Sequence, residues 1–227
     1  MNLSGIITAA LAAIAVAGCA QRPSGEEAAQ LRTGDLIFVG IPADYSLDSD
    51  SMASAIGEAT GEADSLNIIH VAIAEVRQDS VWIIDATIAH GVDRHPLDTF
   101  LTDFTLRDGS YPTFKVMRLK DDSQAQSFVE NAKKFLGQPY DSAFLPGNGA
   151  KYCSELVRDS YVTPDGGYIF SESPMNFENS AGEMPVYWEQ LFGRLGMEVP
   201  QGLMGTNPKQ MSEEPVLEAV ELDFPQD

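Results

Sequence analysis

Two apolar runs, Ile68 to Val76 and Val81 to Ala89, are separated by only four polar residues, Arg77-Gln78-Asp79-Ser80. Both runs are rich in β-branched residues, and so short a polar break between them calls for an antiparallel hairpin. Side chains alternate faces along a strand, so the register of the hairpin decides which polar groups meet. Whether Val81 faces Ala74 or Val76, His70 and Asp85 share a face, directly opposite or one pair apart. A carboxylate inside a run as apolar as Val81 to Ala89 is costly to bury without a partner, and the register offers His70. The alternative is that Asp85 accepts backbone hydrogen bonds at a strand end.

The rest of the chain fits around this hairpin. Leu31 to Gly40 (LRTGDLIFVG) reads as a turn and a buried strand, Met52 to Ala59 as a short helix, and Thr113 to Leu119 as a further strand. Ser123 to Gly137 reads as a helix, with Ser123 and Gln126 as a capping box, Phe128, Ala132, Phe135 and Leu136 as its apolar face, and Gly137 as its stop. A Pro/Gly-rich loop, Gln138 to Ala150, leads into a helix from Cys153 to about Tyr161, and another helix is expected at Pro185 to Leu195. The chain of 227 residues suits one domain. With 34 acidic against 14 basic residues its net charge is −20, which disfavours nucleic acid and anionic head groups as partners. Residues 211–227 read as an acidic tail, expected to be poorly ordered.

Residues 1–19 read as a targeting signal. Leu3 to Gly18 carries no charge and ends in Val16-Ala17-Gly18-Cys19, which resembles a bacterial lipobox. The apolar stretch is short for a membrane span and suits a signal h-region, although Met1 to Gly5 lacks Lys and Arg. An ordinary secretory signal and an uncleaved anchor are the alternatives. On the lipoprotein reading Cys19 carries the lipid, residues 20–30 form a tether, 31–210 form the folded domain, and the protein sits in the bacterial cell envelope, held to a membrane only through its anchor.

Lipidation of Cys19 leaves Cys153 without an intramolecular disulfide partner. A thiolate is the reactive form of cysteine, and helix N-terminal N–H groups stabilise it. Tyr152-Cys153-Ser154-Glu155-Leu156-Val157 places the thiol at such an end, where the same amides can hold an oxyanion. The bland reading is a buried small hydrophobe. A catalytic cysteine needs a base. Of three histidines, His70 opens a strand, while His90 and His95 lie in or near a loop beyond the hairpin and are given no catalytic part.

Other chemistries find little support. His90 and His95 have no nearby third ligand, no HExxH or CxxC occurs, and Asp44, Asp48 and Asp50 lack EF-hand spacing, so no metal and no cofactor is expected. Neither a GxSxG elbow nor a Walker-type loop is present. Glu155, beside the thiol, reads as a structural hydrogen-bond partner, and Trp82 and Trp188 read as core rather than pocket.

Thr33-Gly34-Asp35-Leu36-Ile37-Phe38, His70-Val71-Ala72-Ile73 and Tyr152-Cys153-Ser154-Glu155-Leu156-Val157 together resemble the YaeF/YiiX-like branch of the NlpC superfamily of papain-like enzymes. In that branch the domain is circularly permuted and the histidine strand precedes the cysteine helix, as here. Val199 to Gly202 through Thr206-Asn207-Pro208 resembles the branch's C-terminal segment. The resemblance implies an α+β permuted papain-like fold, with a small antiparallel sheet packed on helices. It implies Cys153 as nucleophile, His70 as base, Asp85 where relatives commonly have glutamate, and Tyr140 beside the oxyanion. Ile69 departs from the small polar residue usual before the histidine. The expected activity is hydrolysis of an amide or ester in a cell-wall peptide or an acylated substrate, by a monomer. An acyltransferase of the permuted lecithin–retinol acyltransferase-like type and a non-catalytic peptide- or lipid-binding lipoprotein are the alternatives.

Overall fold

The computed structural model describes residues 31–49, 51–60 and 66–222, so the signal segment, the tether and Cys19 lie outside the described residues. In chain order the first elements are β1 (Leu36–Pro42), α1 (Met52–Thr60), β2 (Leu66–Arg77), β3 (Ser80–Thr87), β4 (Gly91–Pro96) and α2 (Leu97–Asp103). There follow β5 (Thr113–Leu119), α3 (Ala125–Lys133), α4 (Cys153–Ser160), β6 (Ser173–Pro174), α5 (Val186–Leu195), β7 (Met204–Gly205), α6 (Pro208–Ser212) and β8 (Leu217–Val220). Six strands make one sheet in the order β4-β3-β2-β1-β5-β8, antiparallel throughout, and β6 pairs with β7 alone.

The unbroken apolar sequence of β1 follows from its place near the middle of the sheet, where both faces are covered. Leu36 and Phe38 join Val71, Ile73 and Ile84 under Phe128 and Val129 of α3 and Leu156 and Val157 of α4. Ile37 and Val39 face the other way, with Ala72, Ala74 and Ile83 under Phe100 and Leu101 of α2. Removing a fully buried aromatic such as Phe38 or Phe100 from cores of this kind costs about 3–5 kcal/mol. A third cluster gathers Ala55 of α1 with Phe177, Trp188 and Phe192.

The Thr33-Gly34-Asp35 turn locks the sheet to its helices. Gly34 has φ +87°, and a Cβ there would lie 2.6 Å from the Ala125 Cβ, so only glycine fits. Tyr161 at the end of α4 donates its hydroxyl to the Gly34 carbonyl at 2.9 Å. Buried Asp35 accepts from Arg118 of β5 at 2.6 and 2.7 Å and from the Arg32 amide at 2.7 Å.

Several expectations need correction. The helix expected from Ser123 to Gly137 is regular only over Ala125–Lys133, and the capping box does not form: Gln124 occupies the N-cap with no side-chain cap. Its polar side chains bond elsewhere, Gln126 to Glu130 at 2.9 Å. His95 is not in a loop but in β4, buried, because pairing with β3 brings it opposite Ile83. The acidic tail expected to be poorly ordered carries the end of α6 and all of β8. Leu217 is buried opposite Leu119, Glu218 stands opposite Arg118, and Lys120 N donates to Val216 O at 2.9 Å where the strand begins, so a short strand with one buried leucine docks on the sheet edge.

Candidate active site

The hairpin adopts the register in which Val76 faces Val81, which sets His70 and Asp85 one pair apart on a common face. Near the start of β2 the ladder to β1 shifts: Val39 pairs with His70 and Gly40 with Ile68, leaving Ile69 unpartnered. Such a bulge bends a strand and re-aims its side chains. His70 is buried, its Nε2 2.8 Å from Asp85 Oδ2. Its ring lies 4.7 Å from that of Phe104 and 6.4 Å from that of Phe100, which shield the pair from water.

Cys153 is the first residue of α4. Tyr152 at the N-cap is extended and supplies no side-chain cap, so no side chain competes for the amides of the first turn. Burial disfavours charge on His70, but the Cys153 charge, hydrogen bonds to Asp85 and Cys153, and the Asp85 charge outweigh it and raise its pKa to about 10. With Nε2 committed to Asp85, Nδ1 is the atom left for the sulfur. The raised pKa keeps the imidazole charged, with the Asp85 carboxylate on one nitrogen and Cys153 beside the ring.

Tyr140 arrives on a tightly held loop. Asp141 is buried and accepts from the amides of Ala143, Phe144 and Leu145 at 2.9, 3.1 and 2.8 Å and from Asn148 Nδ2 at 2.8 Å. The loop is stapled to β4 by Val92 N donating to Gln138 O at 2.8 Å and Gly137 N donating to Val92 O at 2.9 Å. Gly91 permits this approach: φ is +68°, and a Cβ would meet the Gln138 carbonyl oxygen at 2.3 Å. The Tyr140 hydroxyl makes a long contact, 3.9 Å, to the Met52 sulfur. Burial, then the Cys153 charge, push its pKa well above 10, so the phenol keeps its proton. Glu155 is held by Lys151 at 3.0 Å, the structural part expected of it, and burial raises its pKa to about 7 against that pairing.

Cys153 and Tyr140 open onto a cavity of about 400 Å³. Its lining combines an apolar cluster, with Phe144, Met175, Phe177 and Trp188, and the polar residues Thr206, Asn207, Lys209 and Gln210. Trp188 therefore lines the pocket as well as packing in the core, edge-on to Phe144 and Phe177. Sequence reasoning missed this aromatic wall, because its members come from a loop, a second loop and a helix far apart in the chain. The segment Thr206-Asn207-Pro208, singled out by resemblance alone, forms part of the rim, fixed by Thr206 N donating to Tyr152 Oη at 3.1 Å and Thr206 Oγ1 to Ser154 Oγ at 3.0 Å. Thus Cys153, His70, Asp85 and Tyr140 are brought together, His90 is exposed on the β3–β4 turn, and His95 stands behind Asp85. Among the described residues no group of three or more His, Cys, Asp or Glu side chains is arranged to hold a metal ion.

The chain is similar to known proteins. The uncharacterized protein YiiX of Escherichia coli (strain K12) is 26% identical over 197 residues, spanning 86% of this chain and 89% of YiiX. A crystal structure of the metalloprotein YiiX from Escherichia coli O157:H7 superposes with a TM-score of 0.64 at 24% identity, over 86% of this chain and 99% of that one. Residues 30–221 match the model of the permuted papain-like amidase enzymes, YaeF/YiiX, C92 family. The chain belongs to that family of permuted papain-like amidases.

Proposed function

We propose that this protein is a cysteine hydrolase that cleaves an amide bond through Cys153, His70 and Asp85. The observation that carries the reading is the junction of a thiol at an uncapped helix N-terminus with a buried imidazole bound to a carboxylate at 2.8 Å. The Cys153 proton resides on His70 Nδ1, and the thiolate attacks the carbonyl carbon. First-turn amides of α4 and the Tyr140 hydroxyl donate to the oxyanion. His70 then protonates the leaving nitrogen, the C–N bond breaks, and a thioester remains on Cys153. Water adds to the thioester with its proton passing to His70. The acid leaves, and the thiolate–imidazolium pair is restored.

The aromatic side of the cavity supports an apolar or acylated group on the substrate, while the polar rim suits a peptide-like portion. If Cys19 is lipidated, the substrate is met at the cell envelope, which fits cell-wall peptides or membrane-derived acyl amides. The test is labelling of the purified full chain with a thiol-directed acyl probe. Wild type is expected to label at Cys153 and His70→Ala to label about 10²-fold or more slowly. Equal labelling of the two would refute the reading and favour a binding protein whose thiol reacts without His70.

A further inference from the structure

Asp85 directs one oxygen, Oδ2, at His70. Its other oxygen, Oδ1, is buried with no hydrogen-bond partner, and so is Nε2 of His95. These two orphaned atoms face each other 4.0 Å apart. That is beyond a hydrogen bond, and closing it takes a movement of about 1 Å. Two further features fix the ring there. Asp85 and Asp93 are direct cross-strand partners, an unfavourable like-charge pairing, and the His95 ring reaches both, with Nδ1 3.7 Å from Asp93 Oδ2. Phe100 of α2 stacks on His95 at 6.4 Å and 17°, and the same phenyl packs 6.4 Å from the His70 ring. The groups facing His95 are thus Asp85 from β3, Asp93 from its own strand and the uncharged Phe100 from α2.

We infer that His95 is a positioning residue: its Nε2–H donates to Asp85 Oδ1 and stops the carboxylate from turning away from His70. The inference rests on the proposed role of Asp85 and His70, and it revises the expectation that His95 has no part. A carboxylate held by one oxygen alone can swing about its terminal torsion, which is broad. A donor on the second oxygen closes that freedom, as outer-shell partners do for histidines elsewhere.

The test uses the full chain and reads carbamidomethylation of Cys153 by iodoacetamide, resolved by peptide mass spectrometry. His95→Phe keeps the stacked ring but has no donor, and His95→Gln keeps a donor at the same reach but loses the ring. Positioning predicts that His95→Phe reacts about tenfold more slowly while His95→Gln stays within about threefold of wild type. The His70 ring N–H proton resonance should shift in the first and persist in the second. Pure packing predicts the reverse order, and that result, or a wild-type rate with an unmoved resonance in His95→Phe, overturns the inference. Should His95→Phe fail to fold, the wild-type imidazole nitrogen signals decide: a protonated, hydrogen-bonded Nε2 supports positioning, and an unprotonated one overturns it. His70→Ala runs alongside. If it reacts like wild type, the proposed function itself fails, whichever way the His95 variants behave.

Discussion

Replacing Asp85 by asparagine removes one charge and changes little else, because amide and carboxylate have nearly the same shape. The His70 Nε2–Asp85 Oδ2 contact of 2.8 Å lies between side chains that are 8% and 1% exposed, so solvent screens it poorly. A hydrogen bond to a charged partner is worth about 1.5–3 kcal/mol against about 1 kcal/mol for a neutral one. Losing the difference, about 1–2 kcal/mol, slows the reaction about 5- to 30-fold. A misoriented amide would add a tautomer fault, which in a serine protease brings the total to about 10⁴-fold. A preformed imidazolium donates from both nitrogens and escapes most of that fault, so the expected loss is about 10- to 10³-fold. The pH profile moves too. His70 is held protonated up to about 10, partly by Asp85, so activity falls as pH rises through that value. Asp85→Asn loses the imidazolium sooner and its alkaline limb shifts to lower pH, whereas Asp85→Glu keeps the charge and much of the rate. The assay is the rate of acyl-probe labelling at Cys153 across pH, with thermal melts as a folding control and exposed His90→Ala as a neutral reference. An Asp85→Asn variant that is folded, as fast as wild type, and has the same alkaline limb would refute the carboxylate's role.

Tyr140→Phe should slow labelling about 10²-fold, as removal of an oxyanion donor does, with an unchanged melting temperature, since its hydroxyl gives up only a 3.9 Å sulfur contact. Equal labelling would remove Tyr140 from the site. Deleting residues 213–227 strips β8 from β5 and exposes Leu119 where Leu217 covers it, so urea unfolding should show a loss of about 2–4 kcal/mol. A midpoint equal to that of the full chain would mean the strand adds nothing. Cys19→Ser should release the protein from the membrane fraction in a bacterial host, and mass spectrometry of wild type should find a lipidated Cys19 as the mature terminus. An unmodified Cys19 would sink the anchor.

Elements whose side chains decide their own surroundings were legible before the fold was known. The hairpin, with His70 and Asp85 on one face, follows from alternation within two apolar runs, and the Cys153 helix from a loop ending at an amphipathic segment. β4 was not legible, because Gly91-Val92-Asp93-Arg94-His95-Pro96 has no apolar alternation. It pairs because β3 needs a neighbour, and Arg94 stacks 4.0 Å over Trp82 on that strand. β8 escaped because a single buried leucine marks it within an acidic stretch. The bulge at Ile69 escaped for another reason: it arises from a mismatch between two strands and is written in neither alone.

The strand order also sets an order of assembly. β2, β3 and β4 are sequential neighbours joined by short turns, so His70, Asp85 and His95 can meet through local contacts. Docking Cys153 on them, and closing β8 onto β5 across four intervening helices, requires contacts between residues far apart in the chain. Local pairings form early and distant ones wait on loop closure. The base and its carboxylate are therefore expected to stand ready in a half-built sheet while the thiol is still an ordinary one, at no helix end and beside no imidazole. On the proposed mechanism, reactivity would arrive with the final docking, and a nascent or partly unfolded chain would carry its cysteine unarmed.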